Sequence, residues 1–93
     1  MDSGMKLINV GFGNTVSGSK ILAIVSNESS PVKRDVNNAK EKFILIDSTH
    51  GRKTRSVIYL DNGHIVLSAV QHETLAKRFN SDNSSSDEAD PED

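Results

Sequence analysis

The 93-residue sequence contains no cysteine, which excludes disulfides and thiolate metal sites. Its only aromatic residues are Phe12, Phe43, Tyr59 and Phe79. A small core needs most of them, so recognition of single strands by base stacking is disfavoured. No apolar run is long enough to span a bilayer. The first residues, Met1-Asp2-Ser3-Gly4, lack the basic and apolar regions of a secretory signal, so a cytoplasmic protein without a membrane partner is expected. His50, His64 and His72 lie far apart with no cysteine partner, and no metal site is expected. Asp47, Ser48 and His50 are close in sequence, but that is not the geometry of an activated nucleophile, and no enzyme is expected.

What is present is charge, unevenly placed. The formal net charge is −2. From residue 80 to the end there are six acids and no base, whereas before it eleven bases face seven acids, a net of +4. The sequence therefore divides into a basic body, residues 1–79, and an acidic tail, residues 80–93. Ala89 is the tail's only apolar residue, so the tail cannot bury enough surface to offset its ordering entropy and is expected to be disordered. A solvated body with a solubilising tail would carry the same charges. The body is one domain at most, with a modest core of the kind often helped by oligomerisation.

Along the body, residues 6–10 form a first strand, broken by Gly11-Phe12-Gly13-Asn14. The glycines permit positive φ or a close backbone approach. No Gly-Lys-Ser/Thr follows, so a turn with a buried Phe12 is expected rather than a phosphate-binding loop, and no cofactor or small-molecule ligand is indicated. Residues 20–25 are a near-continuous apolar strand. Ser30 can cap a helix with Pro31 in its first turn. Val32, Val36, Ala39 and Phe43 then share one helical face, and the helix should end near Lys42 with no glycine to cap it. Residues 44–47 form a third strand and residues 54–60 a fourth. Asn62-Gly63 predicts a type I′ hairpin turn into a fifth strand over 65–70, and residues 73–79 form a short helix. The hairpin strands are apolar on both faces, with Val57 and Tyr59 in one alternation and Ile58 and Leu60 in the other. The short helix looks too small to cover the second face, so part of that face should meet another subunit.

His50-Gly51-Arg52-Lys53-Thr54-Arg55 stands between the third and fourth strands and holds three cations within four residues. Cations between two buried strands are fixed at a sheet edge, where they can grip nucleic-acid phosphates or simply keep the edge soluble. Lys33 and Arg34 add charge on the helix, and His50 can hydrogen-bond a phosphate.

From Lys6 to Phe79 the sequence resembles the RemA-like regulators, a family named after an extracellular-matrix regulator of bacilli. The resemblance rests on Lys6-Leu7-Ile8-Asn9-Val10-Gly11-Phe12-Gly13-Asn14, Ile24-Val25-Ser26, Glu28-Ser29, Pro31-Val32-Lys33-Arg34, Leu45-Ile46-Asp47, Gly51-Arg52-Lys53-Thr54-Arg55 and Leu67-Ser68-Ala69-Val70-Gln71. It implies a bacterial DNA-binding transcriptional regulator, a ring-shaped homo-oligomer that carries DNA on a basic surface. The founding member activates matrix and biofilm genes. By resemblance, Arg52 and Lys53 fall on an Arg-Arg pair used for DNA contact. Lys20 falls where an arginine that affects function is frequent, and Pro31 on another position tied to function. The sequence departs from the family at Lys53 for arginine, His50 for another aromatic, Phe43 for a helix-ending glycine and His72 for proline. Lys53 keeps the charge but loses the bidentate fork.

The expected protein is an α+β domain in the order β-β-α-β-β-β-α. It has a small, mostly antiparallel sheet of about five strands, one main helix and a short C-terminal helix. It binds double-stranded DNA through Arg52, Lys53, Arg55 and Lys20, with secondary contacts from Lys33, Arg34 and His50, as a cytoplasmic, nucleoid-associated homo-oligomer. A structural assembly module and an RNA-binding regulator are the alternatives.

Overall fold

A computed structural model of the chain describes residues 6–80. Strands β1 (Leu7–Gly11) and β2 (Asn14–Ser17) form an antiparallel hairpin. After a 3-10 turn at Gly18–Lys20 come β3 (Ile21–Ser26), helix α1 (Ser30–Glu41), β4 (Leu45–Asp47), β5 (Ser56–Leu60), β6 (Ile65–Ser68) and helix α2 (His72–Asn80). The last four strands make one sheet in the order β3-β5-β6-β4, antiparallel except between β4 and β6. The α+β class, the mostly antiparallel sheet, the main helix and the short C-terminal helix are those the sequence predicts. The strand count is six, because Asn14-Thr15-Val16-Ser17 pairs with β1 although only one of its residues is apolar. The expectation of a disordered acidic tail concerns residues that, from 81 onward, lie outside those described.

Alternation on β5 and β6 decides the layering. Val57, Ile65 and Leu67 point to α1 and pack on Ala39, Val32 and Val36. Ile58 and Val66 point the other way, onto Ile8 and Val10 of the hairpin and Leu75 of α2. Both faces of the sheet are thus covered within one chain. The expected surplus face does not exist, because the β1–β2 hairpin supplies the cover that α2 alone is too short to give.

Four local expectations are corrected. The N-cap of α1 is Ser29, not Ser30: its Oγ accepts from the Val32 N–H at 3.3 Å, and Pro31 stays in the first turn. Phe43 is not on the helix's buried face. It follows the C-cap Lys42 at φ 60° and is 92 % exposed. There the Phe43 N–H donates to the Lys40 carbonyl at 3.2 Å and the Ile44 N–H to the Ala39 carbonyl at 3.0 Å, a Schellman ending with phenylalanine in glycine's place. The third correction is at Asn62-Gly63, where only Gly63 has positive φ. The Gly63 N–H donates to the Leu60 carbonyl at 3.1 Å, and the Leu60 N–H to the His64 carbonyl at 3.0 Å. This is a three-residue loop with a left-handed glycine bulge, not a type I′ turn. Finally, Phe12 is half-buried, not buried.

Two contacts tie the helices down. The Tyr59 hydroxyl donates to Asp35 Oδ2 at 2.7 Å, joining β5 to α1. Arg78 of α2 is 4 % exposed and donates to the Asn9 carbonyl at 2.7 Å, while the Lys6 ammonium donates to the Phe79 carbonyl. No helix among the described residues is long and apolar enough to cross a membrane.

Candidate nucleic-acid interface

The carboxyl ends of β3, β4 and β6 and the amino end of β5 meet at one end of the sheet, as the Ser26↔Ser56, Ser56↔Ser68 and Asp47↔Leu67 pairings require. Buried hydroxyls frame that end. Ser48 Oγ donates to the Leu67 carbonyl at 2.6 Å, Ser56 Oγ to the Val70 carbonyl at 2.7 Å and Ser68 Oγ to the Val10 carbonyl at 2.8 Å. Each hydroxyl is itself satisfied on a backbone carbonyl from another element or from the chain beyond β6, so the layers are pinned together just beneath the basic segment. The segment itself is held at both ends. The Ser48 N–H donates to the Leu67 carbonyl at 3.0 Å and the Arg55 N–H to the Ser68 carbonyl at 2.8 Å. The three cations therefore hang from a fixed backbone.

Between those anchors lies a turn. Asp47 Oδ1 accepts from the Thr49 N–H at 2.9 Å and from Thr49 Oγ1 at 2.7 Å. The Arg52 N–H donates to the Thr49 carbonyl at 2.9 Å, with His50 at φ 56° and Gly51 at φ 82° between them. Positive φ at both central residues makes this a type I′ turn. The β1–β2 hairpin closes on a second one, Phe12 at φ 53° and Gly13 at φ 79°, flanked by the Gly11↔Asn14 pair. A non-glycine residue in this conformation costs about 1–2 kcal/mol. The two costly residues meet: the Phe12 and His50 rings stack with centroids 5.2 Å apart and planes 18° from parallel. The Arg52 guanidinium lies over the same phenyl ring, 5.5 Å from its centroid.

Arg52, Lys53 and Arg55 are exposed and line one side of a concavity of about 560 Å³. Ala69, Val70, Gln71 and Thr74, where β6 runs into α2, line the other. Among the described residues no carboxylate lies within ion-pair distance of these three cations, and the Asp47 carboxylate is committed to Thr49. The described residues thus gather positive charge at the concavity without neutralising it.

The other candidate residues are distributed around this end or away from it. Lys33 is exposed and lines a neighbouring groove with Asn27 and Thr54, next to the basic segment. Arg34 is exposed but does not line that groove. His50 is brought to the site by its stack. Lys20 is not: it precedes Ile21, which pairs with Leu60 at the far end of β5, roughly 15 Å along the strand at 3.3 Å per residue. The histidines do not converge, and among the described residues no three potential ligands cluster around a metal-sized space. Phe12, Gln71 and Thr74 are the site residues that the sequence did not reveal. The signal for Phe12 was the pair of X-Gly dipeptides, Phe12-Gly13 and His50-Gly51, each able to make a primed turn.

The chain has close relatives. A family profile described as extracellular matrix regulatory protein A-like matches residues 7–79. A protein of Alkaliphilus oremlandii is 58 % identical over 82 residues, covering 88 % of this chain and 88 % of that protein. One from a Cyanothece species is 60 % identical over 75 residues, 81 % of this chain and 82 % of its own length, and one from Acetivibrio thermocellus 53 % over 88 residues, 95 % of each. All three are provisionally named regulatory proteins. The profile spans nearly every residue of the two-layered cover, the sheet and the basic segment just described, and the chain belongs to the RemA-like family.

Proposed function

We propose that this protein is a DNA-binding transcriptional regulator of the matrix-regulator type. In this reading it assembles into a ring-like homo-oligomer and grips duplex phosphates with one basic patch per subunit. The observation that carries the proposal is the concavity lined by Arg52, Lys53 and Arg55, three exposed cations on a hydrogen-bonded frame with no carboxylate partner among the described residues. The family and the names of the relatives support a regulatory role. A single subunit offers few phosphate contacts, and repetition around a ring adds them through effective concentration. Contacts of this kind read backbone and bendability more than base sequence. Lys33 widens the patch, and Lys20 joins it only from a neighbouring subunit.

Assembly is supported by where apolar surface remains. Leu22, 70 % exposed, lies on the outer strand β3, and beside it Ile21, Ala23, Ala76 and Phe79 line an apolar groove. Phe43 and Ile46 are exposed at the other outer strand, β4. Two different apolar edges on opposite sides of one sheet suit a head-to-tail contact, which gives a ring where the rotation between subunits closes.

The test is duplex binding across a salt series, wild type against Arg52→Ala/Lys53→Ala, with oligomeric state checked for both. The double variant should bind more weakly, and its log K against log salt slope should be shallower by about 2 per engaged subunit. Equal binding by the two proteins, or no binding by a properly assembled wild type, overturns the DNA reading and leaves an assembly module. Preference for a structured RNA over the duplex in competition would turn the same patch into an RNA site.

A further inference from the structure

A type I′ turn forms most easily from Asn-Gly, Asp-Gly or Gly-Gly. Both primed turns at this end of the sheet instead place a ring at the first left-handed position, Phe12 in one and His50 in the other. Phe12 touches two residues of the basic segment at once, stacking on the His50 imidazole and lying beneath the Arg52 guanidinium. It comes from the β1–β2 turn, about forty residues upstream, on a hairpin pinned to β6 through Ser68 and Val10. Backbone strain of this kind persists only where the surroundings over-determine it, and it gathers at functional sites. A guanidinium held over an aromatic face is attracted by the ring's quadrupole, and it has less freedom to lose when it meets a phosphate.

We infer that Phe12 is a positioning residue of the nucleic-acid site: presented by the strained Phe12-Gly13 turn, its ring holds the Arg52 guanidinium and the His50 imidazole in the pose that meets a phosphate. This rests on the phosphate-gripping reading above and adds to it a residue with no charge of its own. The absence of charge separates the two roles in an experiment. Removing Arg52 removes a cation and lowers the salt slope. Removing the Phe12 ring leaves every cation in place, so affinity falls while the slope holds.

The test uses the full chain and a duplex of about 30 base pairs, with wild type, Phe12→Leu, Phe12→Tyr, Arg52→Ala and the Phe12→Leu/Arg52→Ala double variant. Thermal melting and oligomeric state accompany each. Phe12→Leu keeps apolar bulk and loses the π-face. It should weaken binding about two- to fivefold per engaged subunit at unchanged salt slope. Phe12→Tyr should restore binding, and in the Arg52→Ala background Phe12→Leu should have little further effect. Wild-type affinity for Phe12→Leu, or an equal loss with and without Arg52, overturns the inference. If assembled wild type does not bind duplex at all, the DNA reading fails and the positioning is decided by NMR. A ring-current displacement of the Arg52 Nε–H resonance that disappears in Phe12→Leu upholds it, and a resonance unmoved by the substitution overturns it.

Discussion

Phe43 shows what a single residue costs where the backbone turns left-handed. Its φ of 60° closes the Schellman ending of α1, and at 92 % exposed its ring gains almost nothing from burial in one chain. Phe43→Gly should therefore stabilise the isolated subunit by about 1 kcal/mol. For a domain of this size that is a rise in melting temperature of about 4–8 °C, read by calorimetry at a concentration where the protein is monomeric. The same change should weaken self-association, since the proposed edge contact would lose its largest apolar group. Opposite signs in the two assays mark a residue retained for contact, not for folding. A lowered melting temperature in the monomer would show instead that the ring packs on its own subunit. The sequence alone misplaced Phe43 for an identifiable reason. The spacing of Val32, Val36, Ala39 and Phe43 continues the helical period past the last helical residue, and periodicity carries no marker for an ending that lacks glycine.

At the scale of elements, the α1–β5 contact has a titration of its own. Burial pushes the Tyr59 phenol up to about 12 from 10.0, with the hydrogen bond to Asp35 and that carboxylate's charge acting the same way. The fold favours the neutral phenol, so the contact's contribution is complete below pH about 10 and is lost as pH rises towards about 12. Tyr59→Phe should flatten the fall in urea midpoint across that window, and an unchanged alkaline profile would mean that the contact does not couple to folding. Elements were the most legible level of the sequence. Long apolar runs gave β3, β5 and β6, and the Pro31 signal gave α1 to within one residue of its cap. The strand β2 escaped because its partner, not its composition, makes it a strand. The turns were exchanged for a related reason. Asn62-Gly63 looks like a type I′ turn but sits in a three-residue loop, while Phe12-Gly13 and His50-Gly51 make the primed turns with residues that propensity disfavours. The site's cations were legible as a cluster; the concavity they line was not, because its far wall comes from Gln71 and Thr74, whose polar side chains carry no pattern.

At the scale of the whole molecule, the two apolar edges of the sheet make a prediction about assembly. Leu22→Asp puts a charge on β3 at a position that is 70 % exposed, so the subunit should fold as before. On the proposed ring reading, sedimentation should then show a loss of the oligomer, and duplex affinity should drop by far more than one lost contact, because avidity would go with the ring. An oligomer that survives this change and Phe43→Gly alike would place the subunit contact elsewhere on the surface. Such variants keep the basic patch whole and so separate grip from multiplicity.

The staple that joins β1 to β6 and α2 has a consequence for the order in which the protein is made. Arg78 reaches back to Asn9, Lys6 to the Phe79 carbonyl, and Ser68 to Val10. Ile8 and Val10 of β1 find their full cover only when β6 and α2, which supply Val66 and Leu75, have been translated. Folding of such a chain waits on its longest loop closures. A ribosome stalled before Leu75 would thus hold out the β1–β2 hairpin with its apolar face incompletely covered. Chaperone engagement of the nascent chain should be concentrated in that interval and cease once the final helix emerges.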